Sequence, residues 1–126
     1  KGDCFHCHGY PLMTDGDFHN NGLDQTLWQG NLGRATVTGN DFDHGKFKSP
    51  TLRNIALSAP YMHDGRYQSL EEVIEHYNSG IRYTPTLDPL LTRGSLNLTG
   101  QEKTDLLAFL ESLTDSSFIN DPDLRP

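Results

Sequence analysis

The sequence predicts an all-α domain with long irregular loops, and two observations carry that prediction. Two segments open with a helix-capping box and continue with apolar residues at helical spacing. Ahead of them lies a long stretch rich in Gly, Asn and Asp with no sustained periodicity. The first helix starts at Ser69-Leu70-Glu71-Glu72, with Ser69 as N-cap and Glu72 three residues on. Leu70, Val73, Ile74 and Tyr77 fall at i, i+3, i+4 and i+7 and so share one face; Gly80 suits the C-terminal end. The second helix starts at Thr99-Gly100-Gln101-Glu102 and reaches Leu113, with Leu106, Phe109, Leu110 and Leu113 as its apolar stripe. Residues 9–50 carry the turn signals Asp15-Gly16, Asn21-Gly22 and Asp43-His44-Gly45. So long a loop is uncommon in a compact domain unless it wraps something. The folded domain is expected over residues 1–115, followed by a polar, Pro-containing, extended tail over 116–126.

Composition narrows the function. A chain of 126 residues makes one domain, and its 34% hydrophobic content is low for a core built from side chains alone. A large apolar cofactor would supply the missing core. The net charge of −7 argues against nucleic acid, whose phosphates demand a basic patch, and permits a basic redox partner. No run of about 18 apolar residues exists, so no membrane span is expected. Lys1-Gly2-Asp3 lead straight into the cysteines, so any export signal is expected upstream of this sequence.

The strongest chemical signal is Cys4-Phe5-His6-Cys7-His8, a C-x-x-C-H motif for covalent attachment of c-type haem. Two thiols one helical turn apart can each form a thioether to a vinyl group on one porphyrin edge. The histidine that follows then supplies an axial nitrogen to the iron. Zinc would want further Cys or His ligands at comparable spacing, and His44 and His63 offer only a scattered set. A redox dithiol would want a βαβ context, which the sequence lacks. Candidates for the second axial ligand are Met13, His19, His44, Met62, His63, His76 and Tyr77. Met13 is close to His8 in sequence and would have to turn round the ring edge. Tyr77 lies on the apolar stripe of the first helix, whereas His76 is one residue off it.

Beyond this motif, the chain resembles the C-terminal haem domain of bacterial di-haem cytochrome c peroxidases and their MauG-like relatives. The resemblance rests on Cys4 to Gly9, on Gly33-Arg34 with Val37-Thr38-Gly39, and on Gly45-Lys46-Phe47-Lys48-Ser49-Pro50-Thr51-Leu52-Arg53-Asn54. It continues through Ala59-Pro60-Tyr61-Met62-His63-Asp64-Gly65-Arg66, the Ser69 helix start and the last helix, in the family's order. It implies a cytochrome c-like fold in the periplasm, one haem c in this domain and a second haem domain in the same parent chain. The helix that leads into the haem motif in such folds is expected to be missing here, because only three residues precede Cys4. In the family the ligand opposite the histidine stands seventeen residues beyond the loop proline, a methionine in well-known peroxidases and a tyrosine in MauG-like members. From Pro60 that position is Tyr77, with Met62 as the alternative.

The resemblance also implies calcium between the two domains, held partly by backbone carbonyls at Ser58 and Pro60. Phe47, Leu52 and Tyr61 are expected to line the haem. Arg53 is expected to pair with a haem propionate, or otherwise to be a surface arginine. His63 is expected either to relay protons near the haem or to hold structure by hydrogen bonding. Trp28 is read as a packed aromatic before an electron waypoint. The expected function is electron or oxidant handling in a peroxidase or MauG-like oxidoreductase, with a small cytochrome, a copper protein or a protein substrate as partner. The alternative is a mono-haem electron carrier with no catalytic role.

Overall fold

Hydrogen-bonded capping builds both expected helices, and their packing makes the core. The structure is a computed structural model that describes residues 1–25 and 31–124. Its main elements are β1 (Phe18–His19), α1 (Ala35–Thr38), β2 (Phe47–Lys48), α2 (Leu70–Glu75), α3 (Gly100–Ser112) and α4 (Ser116–Asn120). Short 3-10 turns at Cys4–His6, Asp41–Asp43, Ile55–Leu57, Pro89–Leu91 and Pro122–Leu124 punctuate the loops. The Ser69 hydroxyl accepts from the Glu72 amide while the Glu72 carboxylate accepts from the Ser69 amide, and Thr99 with Glu102 repeats the arrangement.

The fold is helix-rich but not wholly helical. β1 and β2 pair antiparallel, Phe18 opposite Lys48 and His19 opposite Phe47. Two-residue strands are too short for the alternation that marks a strand in sequence, which is why this pair was not expected. The segment expected as an extended tail instead holds α4, N-capped by the Asp115 carboxylate, which accepts from the Ser117 and Phe118 amides.

Tyr61, Leu70, Ile74 and Leu110 form the buried cluster where α2 meets α3. Leu106, Leu107 and Leu113 pack against it, while Phe109 is 47% exposed. Leu107 therefore takes the place in the stripe expected for Phe109. The stripe centres on Leu110, and Leu106 and Leu107 flank it one turn earlier, which leaves Phe109 at its edge. Lys103 on α3 also meets Glu75 on α2 at 2.5 Å and holds that exposed carboxyl down to about 2. A pair this exposed orients the helices more than it stabilises them.

α2 does not end at Glu75 but runs on into a π-helical turn, His76–Gly80. A π turn carries an extra residue, which shifts the faces its side chains present; here His76 and Asn78 are the buried ones. His76 is 3% exposed, although its sequence position lies off the stripe, and Tyr77 beside it is half-buried.

The two stripe positions give a direct test. Leu110→Ala should lower the unfolding free energy by about 2–5 kcal/mol, whereas Phe109→Ser should cost roughly 0.5 kcal/mol, measured by denaturant unfolding of the haem-loaded protein. Thr99→Ala should cost about 1 kcal/mol through its lost cap.

Candidate haem site

The C-x-x-C-H motif is a single helical turn. Cys4–His6 forms a 3-10 turn capped by Cys7, and the His8 amide donates to the Cys4 carbonyl at 2.9 Å. Both cysteines are free, so no disulfide joins them. Burial, together with the Asp88, Asp15 and Cys4 charges, pushes the Cys7 thiol up to about 11.

His8 is oriented through its other ring nitrogen. Its Nδ1 lies 3.2 Å from the Met13 carbonyl, which can only accept, so Nδ1 carries the proton and Nε2 is left as a bare ligand. Met13 takes a positive φ of 54° to aim that carbonyl, which also accepts from the Leu52 amide at 3.2 Å. Met13, a candidate axial ligand by sequence, thus serves His8 through its backbone.

Tyr77 and Met62 come together at one residue that the sequence did not single out. The Asn21 side-chain amide donates to Met62 Sδ at 3.4 Å and to Tyr77 Oη at 3.5 Å. Met62 stands at φ 72°, a conformation that costs a bulky residue roughly 1–2 kcal/mol. Burial raises the Tyr77 phenol above its ordinary value, the Asn21 hydrogen bond opposes the rise, and the Cys4 and Cys7 thiols add to it.

The other expected positions divide. Phe47 and His63 stack face to face, centroids 3.7 Å apart, and both line a cleft of about 330 Å³ that Asn21 also borders. Burial lowers the pKa of His63. Leu52 packs against the α2/α3 cluster, and Tyr61 is part of it, its hydroxyl donating to the Ile55 carbonyl at 3.0 Å. Arg53 is exposed and donates to the Pro11 carbonyl at 2.7 Å. Ser58 and Pro60 are exposed. Trp28 lies outside the described residues. His76 Nε2 is 3.0 Å from the Asn21 carbonyl, so this buried histidine donates to backbone.

Sequence reading also missed a charged cluster beside the motif. His19 sits between two carboxylates, Nδ1 on Asp88 and Nε2 on Asp15, both at 2.7 Å. Cys7, Asp15 and His19 offer ligand atoms within 4.8 Å of one another. Burial works against the charged imidazole, but hydrogen bonds and charges from Asp88 and Asp15 outweigh it, so the His19 pKa is raised. Only the spacing of Asp15 and His19 was visible in sequence; Asp88 arrives from 69 residues away.

These side chains fit a covalently held haem. Two protonated thiols share one turn, His8 keeps a free Nε2, and Tyr77 and Met62 stand together as candidate opposite ligands. Among the described residues no side chain is less than 2% exposed, as expected of a domain that completes its core with a large apolar group. Fold and site together define a c-type haem domain.

No protein-family model matches the chain. It is 33% identical over 140 residues to a cytochrome-c peroxidase of Denitromonas iodatirespirans, a match covering 90% of this chain and 36% of the relative. It is 36% identical over 115 residues to the methylamine utilization protein MauG of Methylorubrum extorquens, covering 90% of this chain and 31% of that protein. A crystal structure of a MauG-like protein associated with microbial copper homeostasis superposes with a TM-score of 0.86 at 41% identity, over 97% of this chain and 45% of that one. The chain belongs to the bacterial di-haem cytochrome c peroxidase and MauG family. It spans about a third of the length of these two relatives.

The His19 cluster predicts a pH dependence. A histidine whose folded pKa is raised above 6.5 contributes stability that is fully present below pH 6.5 and lost as pH climbs through the folded value. The thermal midpoint of the protein minus that of His19→Gln should therefore be largest in mild acid and shrink above neutrality. A difference that stays flat from pH 5 to pH 9 would remove the imidazolium from the account.

Proposed function

We propose that this chain is the C-terminal haem domain of a periplasmic di-haem oxidoreductase, handling electrons or oxidising equivalents for peroxide reduction or MauG-like protein oxidation. The observation that carries the reading is Tyr77 held with Met62 on the Asn21 amide, in a chain whose C-x-x-C-H turn leaves His8 Nε2 free. Haem iron, when bound, supplies one-electron chemistry whose potential depends on its axial ligands. Cys4 and Cys7 would anchor the ring, and the Met13 carbonyl, by taking Nδ1 of His8, leaves Nε2 free to ligate iron. Tyr77 offers a hard, anionic oxygen that favours ferric and higher oxidation states, where the Met62 thioether would favour ferrous. With protein ligands on both sides, the domain presents no open position to peroxide. That position would belong to a second haem domain of the same parent chain, as the partial coverage of the relatives supports.

The expected partners are that second domain and a small cytochrome, a copper protein or a protein substrate as redox counterpart. Calcium between the domains would use the carbonyls of Ser58 and Pro60. A mono-haem electron carrier is the second reading; it predicts one C-x-x-C-H motif in the parent chain, where the di-haem reading predicts two.

Three measurements test the assignment. Denaturing mass spectrometry should find one haem per copy of this domain attached to the polypeptide, and Cys4→Ala with Cys7→Ala should abolish it. Tyr77→Phe should open the sixth position and move the ferric spectrum toward high spin, while Met62→Leu should leave ligation unchanged; the opposite pair of results would transfer the ligand to Met62. The isolated haem-loaded domain should turn over peroxide well below the typical enzyme rate of about 10 per second.

A further inference from the structure

We propose that Asn21 is the positioning residue of the axial ligand: its amide holds the Tyr77 oxygen and sets how strongly that oxygen donates to iron. The inference rests on Tyr77 being the ligand. An asparagine amide has two protons, and here one reaches Tyr77 Oη at 3.5 Å while the other reaches Met62 Sδ at 3.4 Å. The contact to the phenol oxygen is long, as suits a neutral phenol, which accepts weakly. An iron-bound phenolate is anionic, and a donor beside it makes a shorter, charge-assisted bond. That bond withdraws electron density from the oxygen and weakens its donation to the metal. Second-sphere hydrogen bonds tune metal ligands in this manner.

The amide can exert this control because its backbone is fixed on both sides. The Asn20 side chain is buried and donates to the Thr84 and Thr86 hydroxyls at 3.0 and 2.9 Å, while its Oδ1 accepts from the Gly22 amide at 2.9 Å. The Gly22 carbonyl accepts from the Arg82 amide at 2.7 Å. Gly22 stands at φ +69°, and a Cβ there would lie 2.7 Å from the Arg82 carbonyl oxygen, so the chain approaches too closely for any other residue. The Asn21 carbonyl in turn accepts from His76 Nε2 at 3.0 Å, which ties the residue before Tyr77 to the same point. Asn21 thus grips the π turn by its backbone and Tyr77 by its side chain. The two neighbouring histidines are engaged elsewhere, His76 on that carbonyl and His63 on the Phe47 ring.

The test is Asn21→Leu in the haem-loaded protein, with Asn21→Asp as a second variant that keeps the side chain's shape and offers no donor. Both keep the backbone carbonyl for His76. Each should retain covalent haem, shift the phenolate-to-iron charge-transfer absorption and lower the midpoint potential of this haem. In a Tyr77→Phe background Asn21→Leu, which removes the donor without adding the charge that Asn21→Asp brings, should leave the potential where Tyr77→Phe puts it, an outcome a purely structural role would not give. A wild-type spectrum and potential in both Asn21 variants would overturn the proposal. So would a rise in potential with a thioether signature, which would mean that Asn21 excludes Met62 instead of tuning Tyr77. If Tyr77→Phe is itself silent, the ligand reading fails and this inference with it. If Tyr77→Phe opens the iron while the Asn21 variants are silent, this inference alone fails.

Discussion

The constraint on which this structure depends is a shortage of apolar side chain. With 34% hydrophobic residues, the chain closes one modest cluster around Tyr61, Leu70, Ile74 and Leu110 and leaves the other half to polar ties. Thr14 reaches the Ser49 carbonyl, the Ser49 hydroxyl reaches the Cys7 carbonyl, Thr51 reaches the Leu12 carbonyl and Asn20 reaches Thr84 and Thr86. Each such bond contributes only about 1 kcal/mol net, but a buried backbone group left without one would cost more. The long loop is therefore ordered by hydrogen bonds suited to wrapping a large apolar ring, and α2 and α3 supply the hydrophobic floor.

Within that frame, two backbone carbonyls decide what two histidines do. The Met13 carbonyl takes Nδ1 of His8 and leaves Nε2, the distal nitrogen, free to reach a metal. The Asn21 carbonyl takes Nε2 of His76 and leaves only the nitrogen nearest its own helix. Burial also lowers the pKa of His76, so the ring stays neutral at physiological pH and serves as a donor. One kind of bond thus leaves one histidine with a free ligand nitrogen and makes the other a strut.

The family relationship and the geometry bear on different parts of the function. Relatives named as a peroxidase and as MauG each match 90% of this chain, so membership alone does not separate peroxide reduction from protein oxidation. On the reading proposed above, the separation would lie in the sixth ligand, where a phenolate and a thioether would pull the iron potential in opposite directions. Tyr77 and Met62 share a single amide donor, so a few ångströms of local structure govern that choice.

Local signals in the sequence determined the C-x-x-C-H turn, both capped helices and the packing of Leu70, Val73 and Ile74 on one face. The C-x-x-C-H spacing, the two Ser/Thr-x-x-Glu boxes and the i, i+3, i+4, i+7 pattern each act within one or two helical turns, so no distant contact is needed to read them. The tertiary structure decided the rest. Asn21 meets Met62 and Tyr77 across 41 and 56 residues, and His19 meets Asp88 across 69, separations that leave no periodic trace. The π turn that brings His76 inside breaks the regular spacing on which such reading relies. Phe109 is exposed and Leu107 covered because the orientation of α3 against α2, which only packing sets, chose between two positions the sequence made equally apolar.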